Sequence, residues 1–222
     1  MRTVRHLHLK KSLHLCYNNQ DAIKLQNKPY GGSDMKKIII VDSSPRKGGN
    51  CDVITDKLCE SIHDAEVEVF RLRETTVNPC HGCNACKGKA KASCVQKDDF
   101  GALIPFIDSC DALVLVSPVY FGQLNGPAKT FIDRTYCFFD PSKPAGNNAS
   151  ARGKKGAIIM SCGAGPAEVY TKVAEGMVKC FGNFGVDDSR VFVGGGVNTP
   201  GSFKDHADYM KAVGDIAEWL SE

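Results

Sequence analysis

The sequence predicts an α/β fold, a sandwich built on a doubly wound parallel sheet, and three observations predict it. From residue 35 onward, five short and nearly continuous apolar runs alternate with stretches whose apolar residues recur at helical spacing. Successive strands separated by helices pair in parallel, because each parallel connection needs a crossover and the crossover is normally right-handed. The turns leaving three of these strands carry glycines and polar residues, on the edge of such a sheet where ligands gather.

Each element has its own justification. "KKIIIVDSS" is apolar on both faces, as a fully buried strand should be. After a turn holding Pro45, Gly48 and Gly49, Ile54, Leu58 and Ile62 fall four residues apart and give a helix one apolar face. "EVEVFRL" alternates like a strand nearer the sheet edge. In "DDFGALIPFIDSC", Asp98 or Asp99 is expected to cap a helix, and Pro105 to kink or shorten it. "DALVLVSPVYF" is the third strand, and "GPAKTFIDRTYCFF" the next helix, with Pro127 in the first turn, where its missing N–H costs nothing. Residues 141–150, rich in Pro, Gly and Asn, read as a surface loop. "KKGAIIMSC" is the fourth strand, "AEVYTKVAEGMVKCFGNFG" a helix ending at Gly185, and "SRVFVGGG" the fifth strand. Tyr209, Val213, Ile216 and Leu220 mark the last helix.

The chain of 222 residues is 42% hydrophobic and 24% charged, which suits one main domain over 35–222. Residues 1–34 hold six Lys/Arg against two Asp and end in Gly-Gly-Ser-Asp; they read as a disordered extension. The overall charge of +3 resides there, since the remainder is −1. That near-neutral body speaks against a nucleic-acid partner. No apolar run approaches the roughly 20 residues of a membrane span. Eleven cysteines, an odd number spread through core-like segments without a secretory start, point to a reducing cytoplasm.

The loops after the strands carry the functional signal. "SSPRKGGN" lacks both GxGxxG and the Walker pattern, yet offers the Ser43 and Ser44 hydroxyls, the Arg46 guanidinium, two glycines and Asn50 at a helix start, all suited to a dianion. A plain turn with a polar cap is the alternative. Ser117, Pro118, Val119, Tyr120, Phe121 and Gly122 place aromatics and backbone amides where a flat heterocycle could lie, or where aromatics simply fill a core. "SCGAGPAE" adds Gly163 and Gly165, which permit close backbone approach. Together the three loops describe one end of a mononucleotide site.

On these motifs the body resembles the flavodoxin-like NADPH-dependent FMN reductase family, marked by a GSPRxxGN-type first loop and an SPxYxGxxxGxxKxFIDR segment. The resemblance implies a three-layer sandwich with a five-stranded parallel sheet in the order 2-1-3-4-5. It implies that Ser44, Arg46 and Asn50, with Ser43 nearby, hold the FMN phosphate. Pro118, Val119, Tyr120, Phe121 and Gly122 would line the isoalloxazine, and Cys162, Gly163 and Gly165 would close its other side. Two departures stand out: Ser43 replaces the usual glycine, and Cys51 replaces a Thr or Ser that gives phosphate a hydroxyl, a thiol being the weaker donor.

"CHGCNACKGKAKASC" puts Cys80, Cys83, Cys86 and Cys94 within fifteen residues, inside a loop spanning 78–98. The C-x2-C-x2-C-x7-C spacing suits a [4Fe–4S] cube better than a tetrahedral zinc, and redox-active thiols are the alternative. Gly82 and Gly88 supply tight backbone, and Lys87, Lys89, Lys91 and Lys97 would offset the charge of four thiolates. The segment also resembles that of the iron–sulfur flavoproteins, a branch of the same family, although its last spacer is long. The function implied is an FMN oxidoreductase moving electrons from NAD(P)H or a ferredoxin-like protein to a small-molecule acceptor such as a quinone or flavin. Chemistry of this kind lies in the cofactor and needs no protein nucleophile. An electron carrier without substrate turnover is the alternative, and a homodimer or homotetramer is expected by resemblance.

Overall fold

The computed structural model describes His14, Leu15 and residues 35–222. The expected disordered extension over 1–34 therefore lies outside the described residues, apart from the short strand β1 (His14–Leu15). Among the described residues, seven strands and five α-helices follow in chain order. They are β1, β2 (Lys36–Asp42), α1 (Asn50–Ser61), β3 (Ala65–Arg71), α2 (Phe100–Ser109), β4 (Ala112–Tyr120), β5 (Gln123–Leu124), α3 (Gly126–Arg134), β6 (Lys154–Ser161), α4 (Ala167–Val178), β7 (Val186–Gly194) and α5 (Ala207–Ser221). The sheet runs β1-β3-β2-β4-β6-β7, and β5 folds back antiparallel onto β4. The five principal strands thus take the expected order and all pair in parallel.

Alternation along the buried strands divides the core in two. Ile39 and Val41 of β2, Leu113 and Leu115 of β4, and Ile158 and Met160 of β6 face α2, α3 and α4. Ile38 and Ile40, Val114 and Val116, and Ala157 and Ile159 face the other way, onto α1 and α5. Each such side chain withdrawn from water contributes about 1.5–3 kcal/mol. Both faces are covered, so the central strands read as continuous apolar runs rather than alternating ones. Gly156 is required by packing: a Cβ there would stand 2.8 Å from Val186 Cγ1.

Three local expectations are revised. The carboxylates of Asp98 and Asp99 are drawn away from a simple capping role: Asp99, at the N-cap of α2, makes no side-chain cap bond. Asp99 Oδ2 instead accepts from Thr76 N (2.7 Å), and Asp98 Oδ2 from Asn78 N (2.9 Å). The helix proposed through residue 185 ends at Val178 and continues as a 3₁₀ turn to Phe184, terminated by Gly185 at φ 97°. The strand after α2 runs into an unforeseen hairpin, because Phe121 and Gly122 both take positive φ (48° and 76°) and form a two-residue turn of the I′ kind. Pro105 does sit inside α2, which spans only ten residues.

Asp98 closes the neck of the cysteine loop against Arg134, the last residue of α3. Its guanidinium grips Asp98 through two bonds (2.5 and 2.9 Å) and donates to the Asn78 carbonyl at 2.8 Å. Side chains of both partners are essentially excluded from solvent. Burial works to raise Asp98, but the bonds from Arg134 and from Asn78 N outweigh it and hold the carboxyl below its ordinary value.

Replacing Arg134 with Met strands a buried carboxylate and should cost about 3–5 kcal/mol in urea unfolding, while Arg134→Met combined with Asp98→Leu should recover part of that loss. Because the folded carboxyl is depressed below 3.8, the pair's contribution is complete above that pH and is lost as pH falls through the lower folded value. Unfolding measured across that acidic range in the wild type and in the double variant checks the sign.

Candidate functional site

The carboxyl ends of β2, β4 and β6 converge on a cavity of about 480 Å³, a size suited to a bound small molecule. Its first wall comes from the turn between β2 and α1. Gly49 is the N-cap of α1, with no side-chain cap bond, so the positive end of a 12-residue helix faces this wall. Ser44 lines the cavity, its N–H donating to Asp42 Oδ1 at 2.8 Å and its Oγ accepting from Arg46 N at 3.2 Å. Arg46 is exposed at the rim. Its side chain makes no hydrogen bond or ion pair among the described residues, and the guanidinium is available to an incoming anion.

Asn50 and Cys51 line the cavity too, but their side chains are already engaged. Asn50 Nδ2 donates to the carbonyls of Val197 (2.8 Å) and Thr199 (3.2 Å), and its Oδ1 accepts from Phe203 N at 3.0 Å. It ties the first loop to the segment following β7. The Cys51 sulfur lies 3.6 Å from Ser161 Oγ, joining α1 to the end of β6. Burial first and the nearby Asp42 second push its thiol up to about 12, so it remains a neutral S–H at physiological pH.

Ser43 does not reach the cavity. It is fully buried, and both its N–H and its hydroxyl donate to the Val116 carbonyl at 2.9 Å. Its own carbonyl accepts from Asn125 Nδ2 (2.7 Å), while Asn125 Oδ1 caps α3 by accepting from Ala128 N. Position 43, expected at the phosphate, instead welds the first loop to β4 and the hairpin.

The hairpin supplies the second wall. Pro118, Val119, Tyr120, Phe121 and Gly122 all line the cavity, and Phe121 is fully exposed at the mouth. Across from it, Cys162 and Gly163 follow β6. Cys162 Sγ donates to the Ala164 carbonyl at 2.6 Å, and a Cβ at Gly163 would fall 2.3 Å from Asn198 Oδ1, so a larger residue there would displace the Asn198 side chain. Gly165 lies outside the lining; its φ of 86° lets the chain pass Tyr170, whose hydroxyl would meet a Cβ there at 2.8 Å. The structure therefore gathers eleven of the thirteen expected residues, all except Ser43 and Gly165.

Sequence reasoning missed Ser161, Ala164, Tyr170, Val197, Asn198 and Pro200, which complete the lining with Gly49. A signal existed for the last three. "GGGVNTPG" is a polar, glycine-rich turn leaving the fifth strand, on the same sheet edge as the loops that were recognised. Tyr170 had none, since on α4 it looks like any helical aromatic.

A second, much smaller cavity is lined by Cys80, Cys83, Cys86 and Cys94 together with Arg134, Tyr136 and Cys137. Gly82, Asn84 and Gly88 take positive φ and make the loop tight. All four sulfurs are free thiols, Cys80 and Cys83 exposed, Cys86 and Cys94 half-buried. Among the described residues, no three His, Cys, Asp or Glu side chains are gathered closely enough to hold a metal ion. Arg134 Nη2 points at Cys94 Sγ from 3.4 Å. Lys87, expected to offset sulfur charge, instead donates to the carbonyls of Tyr136 (2.7 Å) and Phe139 and sits 3.4 Å over the Tyr136 ring. Arg134 is thus the cation that reaches a loop sulfur, and its place in "FIDR" gave no hint of that.

Comparison with known proteins gives the site its context. A profile of the NADPH-dependent FMN reductase family matches residues 36–182. An iron–sulfur flavoprotein of Archaeoglobus fulgidus is 34% identical over 149 residues, covering 66% of this chain and 64% of that protein. Another, from Methanosarcina thermophila, is 30% identical over 101 residues, covering 45% and 52% respectively. The chain thus spans between about half and 64% of the length of these curated relatives. Among solved structures, an FMN-dependent NADH-azoreductase from Bacillus anthracis in complex with FMN superposes with a TM-score of 0.62 at 15% identity, over 84% of this chain and 100% of that one. The NAD(P)H:quinone oxidoreductase from Methanothermobacter marburgensis gives 0.63 at 15% identity, over 85% and 97%. These two likenesses establish the fold. The profile match covers β2 to β6 and the turns that follow β2, β4 and β6 at the cavity, though not β7 and the turn after it, and the chain belongs to the NADPH-dependent FMN reductase family.

Proposed function

We propose that the protein is an FMN-dependent oxidoreductase that accepts electrons from NAD(P)H and passes them to a small acceptor such as a quinone or a flavin. The observation that carries this reading is the cavity of about 480 Å³, with an anion-suited helix start and free guanidinium on one wall and an aromatic hairpin on the other. The residues fit FMN. Arg46, Ser44 and the start of α1 would hold the phosphate, and the backbone of Pro118–Gly122 would lie along the ring, with Cys162, Gly163 and Asn198 opposite. Bound FMN supplies the hydride and single-electron chemistry. The chain's part is to bind and orient, and no nucleophile or general base is invoked. Cys51, kept as a neutral thiol against Ser161, adds no charge near the phosphate.

The second cavity extends the proposal. Four free thiols on one loop are the donor set of a [4Fe–4S] cluster, with Arg134 beside Cys94 to offset part of its negative charge. Cys80, Cys83, Cys86 and Cys94 would be the ligands, and the two relatives named iron–sulfur flavoprotein support the assignment. Free thiols also suit a cytoplasmic location. Among the described residues, no helix is long and apolar enough to cross a membrane. The fully exposed Phe121 beside half-exposed Tyr120 at the cavity mouth supports a homodimer or homotetramer.

One observation favours the alternative of an electron carrier serving a ferredoxin-like partner. Lys89, Lys91 and Lys97 are exposed on the cysteine loop and form a basic rim for an acidic protein. Bleaching of bound flavin by NADPH at catalytic rates supports the reductase. Reduction by reduced ferredoxin but not by NAD(P)H supports the carrier.

Arg46→Ala should weaken FMN binding by about 1.5–3 kcal/mol, roughly a tenfold to hundredfold rise in Kd, measured by quenching of flavin fluorescence. An unchanged Kd would remove Arg46 from the phosphate site. For the cluster, protein purified without air should carry about four irons per chain and absorb broadly near 400 nm. Cys83→Ala should abolish that iron while leaving FMN content intact; iron retained in this variant, or never present in the wild type, would refute the ligand assignment.

A further inference from the structure

Two carboxylates lie beneath the first loop, outside the cavity lining. Asp42, at the end of β2, is fully buried, and Asp52 sits in the first turn of α1. Asp42 Oδ1 accepts from Ser44 N at 2.8 Å, and Asp52 Oδ2 accepts from Gly48 N at 2.6 Å. The stretch from Ser44 to Gly48 therefore hangs from one carboxylate at each end. Arg73, in the 3₁₀ turn Leu72–Glu74 that follows β3, bridges the pair. Its Nη1 donates to Asp42 Oδ2 (2.8 Å), its Nη2 to Asp52 Oδ1 (2.8 Å), and Nη1 also approaches the Ser44 carbonyl at 3.4 Å.

Arg73 is the only cation in ion-pair contact with Asp42 among the described residues; Arg71 stands 3.8 Å from Asp52. Two adjacent carboxylates without a cation would put negative charge directly beneath a loop meant to receive an anion. Burial, and then the neighbouring Asp52, already push the Asp42 carboxyl up to about 6, against the pull of Ser44 N–H and Arg73. A planar guanidinium can span both carboxylates at once, whereas an ammonium is a single point charge.

We infer that Arg73 is a positioning residue for anion binding: it holds the Ser44–Gly48 loop in its receiving shape and offsets part of the charge of the two carboxylates below it. This rests on the assignment of the first loop to the FMN phosphate and deepens it. The selectivity of the site for a phosphorylated flavin over riboflavin then depends on a residue that never touches the ligand.

The test compares FMN and riboflavin binding to wild type, Arg73→Gln and Arg73→Lys, alongside amide hydrogen exchange over residues 43–50 in the flavin-free proteins. Wild type should prefer FMN. In Arg73→Gln, FMN should weaken by about tenfold or more while riboflavin stays within about twofold, and the Ser44 and Gly48 amides should exchange faster. Arg73→Lys, reaching one carboxylate, should fall between. Equal weakening of both flavins would show a general role in stability and overturn the inference, as would unchanged FMN affinity with unchanged exchange. A wild type without preference for FMN would refute the phosphate assignment instead, and loop exchange in Arg73→Gln would still decide whether Arg73 holds the loop. Should Arg73→Gln fail to fold by circular dichroism, Asp52→Ala frees the Gly48 end alone. It should show faster Gly48 exchange than wild type, and unchanged exchange there would overturn the inference that the loop hangs from this clamp.

Discussion

Everything at the candidate site depends on the lateral register of the parallel sheet. Asp42 pairs with Val116, Pro118 with Ser161, and Ser161 with Gly194, so four strands end at nearly one level. Main-chain hydrogen bonds fix this alignment, and the two apolar cores hold it because a one-residue slip would turn each strand's buried set to the opposite layer. The cavity is the space left where four aligned chains turn away from the sheet. Its walls then need only short connections, which is why seven-residue and two-residue turns can place an anion-suited loop and an aromatic hairpin opposite each other.

Those turns are held by buried polar groups rather than by their own stiffness. Asn125 joins the first loop to α3, Asn50 joins it to the turn after β7, and Ser43 joins it to β4. Each of these residues has its capacity spent on the scaffold, so the groups left for a ligand are the backbone at the start of α1 and the Arg46 guanidinium, while the Ser44 hydroxyl on the same wall is bonded to the Arg46 main chain. A buried donor or acceptor without a partner costs about 1–3 kcal/mol, which makes such cross-links selective for one loop geometry.

The two arginine-centred clusters apply the same logic to charge. Arg73 closes over Asp42 and Asp52 beneath the first loop, and Arg134 closes over Asp98 at the neck of the cysteine loop. Neither pair is a strong source of stability, because desolvation offsets much of the attraction. Losing one partner is nevertheless costly, so each pair specifies where a loop begins and ends. Arg134 does a second task with the same fork, reaching Cys94 while it grips Asp98. The grip on Asp98 and the approach to a loop sulfur thereby share one side chain.

The sequence by itself determined the alternation of strands and helices, the double-sided burial of the sheet, the loops that meet at its carboxyl edge, and the four-cysteine segment. These are consequences of local composition and periodicity, legible because each depends on residues close together along the chain. Its family motifs also marked eleven residues that the fold brings to one cavity. The tertiary structure decided which of the marked side chains face that cavity. Ser43, Asn50 and Lys87 look like ligands in the sequence and are consumed by carbonyls distant in the chain, while Tyr170, Asn198, Arg73 and Arg134 look ordinary and become part of a wall or a clamp. The physical reason is that a polar side chain's partner is set by what the packed chain brings within about 3 Å of it, and for Ser43, Asn50, Lys87, Arg73 and Arg134 that neighbour lies tens of positions away.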